Sequence, residues 1–163
     1  MPRRLRRVGS ARSVSFKGYA ATSRARSALM KQNTRYGGSA ERLLRHRLRA
    51  MGLKFGSHRR DLPGSPDVAF VDERVAVFCD GDFWHGRNWP SRKRLLARGS
   101  NGEYWVSKIQ SNRRRDANVS RELKRSGWIV LRLWETDLAG DPEFAIGRVL
   151  AALSQGQRAS GRR

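Results

Sequence analysis

One stretch constrains the fold more than any other. Between Glu103 and Arg125, Trp105, Ile109, Asn112, Asp116, Val119 and Leu123 are spaced 4, 3, 4, 3 and 4 residues apart. That spacing puts all six on one face of a single long helix. Four of them belong in a core, whereas Asn112 and Asp116 are polar groups carried inward. Ser126-Gly127 ends the run, and Trp128–Trp134 (Trp-Ile-Val-Leu-Arg-Leu-Trp) then reads as a buried strand. A helix feeding directly into a strand demands further strands for both to pack on, so the expected domain is α/β.

The rest of the chain supplies them. Ser39 is placed as an N-cap, with Glu41 in the first turn, Leu43, Leu44, Leu48 and Met51 on one face, and Gly52 as the stop. Leu53 and Phe55 alternate with polar neighbours as a short strand. Val68–Val71 and Val75–Cys79 are valine-rich runs joined by Asp72-Glu73-Arg74, an antiparallel hairpin. Gly86–Gly102 reads as a long, basic, irregular loop. Pro142 opens a last amphipathic helix through Leu153. The expected order is helix, three strands, helix, strand, helix around a mixed sheet. Residues 1–28 read as a basic arm, 29–154 as the folded domain and 155–163 as a polar tail.

Charge narrows the partner. The chain has 163 residues with 35 Lys and Arg against 14 Asp and Glu, a net +21. Residues 1–60 hold 17 of those cations and a single acid, Glu41. A polyanion fits such a front end, because each phosphate contact releases condensed counterions; double-stranded DNA is the expected partner. Nothing approaches the length of about 18 apolar residues that a membrane span requires. No apolar run of roughly 7–15 residues follows the basic start, which argues against a signal peptide. Cys79, the single cysteine, excludes an internal disulfide and a multi-thiolate zinc site and suits a reducing cytoplasm, in association with the nucleoid.

Chemistry gathers near the hairpin. Asp67 precedes one strand and Asp80 ends its partner, so both carboxylates reach one end of the sheet, where hard oxygen donors could hold Mg²⁺ against phosphate. Asp82 is a third such acid; each could equally be an ordinary turn aspartate. His85 is one of three histidines and a candidate general acid or base. Asp116 could orient it, or could pair with an arginine. Phe83 and Trp84 could pack in the core or wedge between DNA bases.

Taken together, several motifs carry a resemblance: Leu62-Pro63-Gly64-Ser65-Pro66-Asp67; a valine-rich strand running into Gly81-x-Phe83-Trp84-His85; Tyr104-Trp105-x-x-Lys108-Ile109-x-x-Asn112-x-x-x-Asp116; Gly127-Trp128-x-Val130; and Trp134-Glu135. Over roughly residues 30–154 the chain resembles the very short patch repair (Vsr) endonucleases. The resemblance implies a restriction-endonuclease-like, three-layer α/β fold with a central mixed sheet flanked by helices. It implies a Mg²⁺-dependent phosphodiester hydrolase that nicks DNA beside a T·G mismatch. Asp67 matches the metal-binding aspartate, Cys79 the residue giving its backbone carbonyl, His85 the catalytic histidine, Asp116 its partner and Glu41 the helical glutamate near the metal waters. Asp80, offered by its own place at the strand end and not by the resemblance, could join them as a further catalytic residue and metal ligand. Met30, Phe83 and Trp84 match the DNA wedges, and Lys31, Asn33, Arg35 and Arg87 are expected at the DNA. Where the family's best-known members have a second histidine, this chain has Asp80. At the family's zinc positions stand Asp82, Arg87, Trp89 and Thr136, so no structural zinc is expected. Two other readings stand beside the mismatch nickase: a related nuclease of a restriction or phage-defence system, and a DNA-binding module that cuts nothing. A monomer is expected, with other repair or defence proteins as further partners.

Overall fold

The computed structural model describes residues 38–161. The basic arm, and with it Met30, Lys31, Asn33 and Arg35, lies outside the described residues. Helix α1 (Ser39–Ala50) leads to strands β1 (Val68–Phe70) and β2 (Val75–Asp80). Helices α2 (Trp89–Ala97) and α3 (Gly102–Arg125) follow, then β3 (Ile129–Trp134), α4 (Glu135–Gly140) and α5 (Pro142–Ser160).

The sheet order is β1-β2-β3. β1 and β2 form the expected antiparallel hairpin, with Val68 opposite Val77 and Phe70 opposite Val75. β3 returns parallel to β2, pairing Val75 with Ile129 and Asp80 with Trp134, as a helical crossover permits. Side chains alternate between faces along each strand. Val75, Val77 and Leu133 therefore share one face with α1, α4 and α5, packing against Leu44, Leu48, Leu138, Ile146 and Val149. Ala76, Phe78 and Val130 share the opposite face with Leu62 and with Val119 and Leu123 of α3. The result is three layers with a mixed sheet in the middle. Truncating a fully buried core residue such as Leu123 to alanine should cost about 2–5 kcal/mol. Among the described residues, no helix is long and apolar enough to cross a membrane.

Five expectations about elements need correction. The segment read as an irregular loop contains α2, which begins at Trp89-Pro90 and buries none of its residues. Proline is pre-shaped for a first helical turn, and Arg, Lys, Leu and Ala all favour a helix; without a buried face there is no apolar periodicity to betray it. The strand expected at Leu53 and Phe55 is reduced to a single antiparallel bridge between Gly56 and Ala69. Ser39 is the first helical residue, and Gly38 stands at the N-cap without a side-chain cap. β3 is an edge strand in which only Leu133 is buried, so Trp128–Trp134 is not the buried strand its composition suggests. Finally, α5 continues past Leu153 to Ser160. Gly156 holds that extension, because a Cβ there would lie 2.2 Å from the Glu73 carbonyl oxygen.

Candidate active site

The site forms where β1 begins and β2 ends. The turn Leu62–Pro66 delivers Asp67 there, and Gly64 makes the turn possible. Its φ is +74°, and a Cβ would lie 2.5 Å from Val119 Cγ1 of α3, so only glycine lets the turn lie this close to the helix. Asp67 Oδ2 accepts a 2.7 Å hydrogen bond from the Cys79 backbone N–H. The contact that ties Cys79 to Asp67 is thus made by its amide, while the resemblance assigns the metal to its carbonyl. Burial pushes the Cys79 thiol pKa far up and leaves it inert as a nucleophile.

Glu41 reaches the same place from the first turn of α1, and it is only 7% exposed. His58, which the sequence reading did not single out, completes the cluster. Its Nε2 lies 3.0 Å from Glu41 Oε1 and its Nδ1 lies 3.9 Å from Asp67 Oδ1. Ligand atoms of Glu41, His58 and Asp67 all fall within 4.8 Å of one another, an arrangement that could hold a metal ion. Arg45, one turn along α1, pairs with Glu41 and stands 2.9 Å from His58 Nε2. The Asp67 carboxyl is nonetheless pushed up to about 6. Burial is the main cause; Glu41 and Asp80 add to it, against the Cys79 N–H and His58.

A second cluster lies beside the first, on the α3 face. The chain after β2 winds through a run of turns in which His85 N–H donates to the Gly81 carbonyl and Arg87 N–H to that of Asp82. Gly86 ends it at φ +68°, where a Cβ would press on Ile109 and Arg113 at 2.9 and 3.0 Å. His85 is thereby set against α3, and its Nδ1 lies 2.6 Å from Asp116 Oδ2. Asn112, one helical turn earlier, donates to the Trp84 carbonyl at 2.9 Å and fixes the same loop. Both inward polar residues of the long helix therefore serve the His85 loop. Burial works to raise the Asp116 carboxyl, but the His85 hydrogen bond and the charges of His85, Arg132 and Arg115 outweigh it and hold the pKa below its ordinary value.

Asp80, only 3% exposed, does not belong to the Glu41–His58–Asp67 group. Both its oxygens accept from Arg132 of β3 at 2.6 Å. Arg132 also went unmarked in the sequence reading. A signal for it existed: it is the only charged residue in Trp128–Trp134. No such signal pointed to His58, whose approach depends on a left-handed backbone (φ +48°) that sequence does not show.

Phe83 and Trp84 lie half-buried in an aromatic group with Trp105, with Phe83–Trp84 and Phe83–Trp105 edge-to-face at 5.2 and 5.4 Å. Arg87, expected at the DNA, turns inward. It bonds Asp137 at 2.6 Å and Thr136, and lies over the Trp134 ring. Thr136 donates in turn to Asp82 Oδ2 at 2.8 Å. Asp82, Arg87 and Thr136, three of the positions that the resemblance matches to the family's zinc ligands, are thus joined in a hydrogen-bonded ion-pair network. Trp89, the fourth, stacks under Arg113.

Comparison with known proteins identifies the family. The family described as DNA mismatch endonuclease Vsr matches residues 20–91. The chain is 39% identical to the type II nicking enzyme V.HpaIIP of Haemophilus parainfluenzae over 66% of this chain and 74% of that protein. It is 37% identical to the type II nicking enzyme V.NmeDIP of Neisseria meningitidis over 78% of this chain and 85% of that protein. It is 35% identical to DNA mismatch endonuclease Vsr of Escherichia coli over 61% of this chain and 62% of that protein. With these likenesses spanning most of the described domain, the chain belongs to the Vsr family and is a DNA endonuclease.

Proposed function

We propose that this endonuclease nicks one strand of duplex DNA beside a T·G mismatch in a Mg²⁺-dependent reaction. The observation that carries the reading is the 2.6 Å His85–Asp116 bond standing next to the Glu41–His58–Asp67 cluster. A proton-transfer pair beside crowded carboxylates is what phosphodiester hydrolysis needs.

Asp67 and the Cys79 carbonyl would hold the ion, with Glu41 and His58 beside it. Their fit is physical: Asp67 is half-buried among other acids, and a hard dication relieves the repulsion that helps lift its pKa. When bound, Mg²⁺ acidifies a water and offsets charge on the phosphate. Asp116, kept ionised, accepts from His85 Nδ1–H, so Nε2 is the nitrogen left to exchange a proton with the attacking or departing oxygen. Phe83 and Trp84, in the turn next to His85, present aromatic planes suited to replace a base in the stack. Met30, Lys31, Asn33 and Arg35 join them in the proposed DNA contacts. The basic arm 1–28 would hold phosphates, and the enzyme would work as a monomer in the cytoplasm at the nucleoid.

A restriction setting is the second reading, favoured by relatives named type II nicking enzymes. One experiment tests both. The protein is incubated with Mg²⁺ and end-labelled duplexes carrying T·G, T·A or methylated C·G at one site, and cut strands are mapped. A nick confined to the T·G duplex supports the mismatch reading. Equal cutting of fully paired duplexes overturns it in favour of a plain restriction-type nuclease.

A further inference from the structure

Arg132 joins two acids that both face His85. In the parallel register it pairs with Phe78, and its guanidinium lies over the Phe78 ring at 4.8 Å. Strand alternation points it, like Val130, toward α3. Its Nε and Nη2 each bond an Asp80 oxygen at 2.6 Å, and Nη2 reaches Asp116 Oδ1 at 3.4 Å. Nη1 is buried with no hydrogen-bond partner among the described residues, so the residue's hold rests on the other two nitrogens.

The imidazole is the point of competition. His85 Nδ1 lies 2.6 Å from Asp116 Oδ2 and 3.5 Å from Asp80 Oδ1. One N–H is thus offered two carboxylates, from α3 and from β2, and only Asp116 is at hydrogen-bond distance. Arg132 occupies both Asp80 oxygens in a forked, bidentate grip that a lysine cannot reproduce. The same guanidinium attracts the Asp116 oxygen that His85 does not use.

We infer that Arg132 is a positioning residue of the nuclease centre. By gripping Asp80 and steadying Asp116, it leaves Asp116 as the sole hydrogen-bond acceptor of His85 Nδ1–H. Nε2 of the imidazole is then presented in one orientation. The inference rests on the reading of His85 as the proton-transfer group. It adds to that reading a buried Asp80–Arg132 pair that selects which acid the imidazole sees.

The test uses the full chain and the double variant Asp80→Asn/Arg132→Met, which strands neither charge of the pair, frees an amide oxygen at position 80 to compete for His85 Nδ1–H, and takes the guanidinium from Asp116. Three quantities are read: the melting temperature, kcat and KM on the T·G duplex, and the downfield proton resonance of His85 Nδ1–H. The double variant should melt close to wild type. Its kcat should fall about tenfold or more while KM stays within about twofold, and the Nδ1–H resonance should broaden or vanish through exchange. Arg132→Lys keeps the charge but loses the fork, and should show the same losses in milder form. A folded double variant with wild-type kcat and a wild-type resonance overturns the inference. If the double variant does not fold, Arg132→Lys decides on the same readouts, and a wild-type kcat and resonance there overturns it equally. Should the wild-type protein cut no duplex, the nuclease reading fails by itself and the His85 resonance still decides the role of Arg132.

Discussion

Two groups of carboxylates lie side by side where β1 begins and β2 ends, and one carboxyl in each is shifted, in opposite directions. In the first, Asp67 is half-buried near Glu41 and Asp80 and is pushed up to about 6. In the second, Asp116 is also partly buried, yet His85, Arg132 and Arg115 hold it below its usual value. Burial raises both; what differs is the cation supplied by the fold. The second group carries its own countercharge in Arg132, whose pKa is raised, against burial, by its bond to Asp80. The first has Arg45 and His58 at its edge, and Asp67 remains short of positive charge. A carboxylate left in that condition is poised for a cation from outside, whereas a compensated one is set to organise a neighbour.

The sharpest way to break this comparison is to neutralise the uncompensated acid. Asp67→Asn should lower the nicking rate by roughly a thousandfold or more, because the charge offset at the phosphate is lost with the ion. Calorimetric titration with Mn²⁺ should then show no site, while duplex affinity stays near wild type, since phosphate contacts supply it. Wild-type cutting by Asp67→Asn would remove the first group from the mechanism.

The second group should fail differently, through stability. Asp80→Asn alone leaves the partly buried Arg132 with only the 3.4 Å approach of Asp116, and breaking a buried pair from one side costs about 3–5 kcal/mol. Urea unfolding measures this directly. A loss below about 1 kcal/mol would show that Asp80 and Arg132 are solvated separately.

The two groups should also give pH slopes of opposite sign. Asp67 titrates near 3.8 when unfolded and about 6 when folded. Between those values the folded chain keeps a proton that the unfolded chain releases. Its contribution therefore declines as pH rises from about 4 to about 6, by an amount on the order of 3 kcal/mol, and is flat above. Asp116 has a depressed folded value, so its contribution is full above its ordinary pKa and is lost as pH falls through the folded one. Melting curves from pH 3 to 8 on wild type, Asp67→Asn and Asp116→Asn separate the two slopes. Added Mg²⁺ should flatten only the Asp67 slope, by binding the folded state.

For rate, Asp116→Asn should depress kcat about a hundredfold with little change in KM, because a neutral amide neither fixes the imidazole tautomer nor stabilises its charged form. Combined with His85→Ala it should add almost nothing, as coupled residues are non-additive. Fully additive losses would assign Asp116 to Arg132 alone.

How much of this was legible differs between the two groups and follows from distance along the chain. The long helix and both its inward polar residues were readable, since helical spacing is a local property, and the valine-rich hairpin was too. Asp67, His85, Asp116 and Glu41 were nominated, through motif spacing that resembles a family. α2 was missed because an exposed helix leaves no periodic trace, and β3 was misjudged because its composition cannot say whether a further strand covers it. Arg132 and His58 act through partners distant in the chain, 52 residues for Arg132 with Asp80 and 17 for His58 with Glu41, and only Arg132 left a trace, as the lone charge in an apolar run. The Asp80 pairing also shows the limit of chemical identity. Two acids at one sheet end suggest two metal ligands, and here both oxygens of one of them accept from an arginine of the neighbouring strand.

The smallest expected effect falls on His58, and it tests whether the first group is as uncompensated as its acidity implies. The imidazole lies 3.0 Å from Glu41 Oε1 and 3.9 Å from Asp67 Oδ1, and Arg45 approaches its Nε2 at 2.9 Å. So placed, the ring braces both carboxylates from the edge of the group. His58→Ala should therefore weaken Mn²⁺ binding only about tenfold, within the range for residues that hold ligands in place, and should leave the fold intact because the side chain is partly exposed. Complete loss of binding would make His58 a direct ligand. Unchanged binding would confine the ion to Asp67 and its oxygen neighbours. In that second case Glu41 and Arg45 would pair without regard to His58, and their ion pair would be the true boundary of the site.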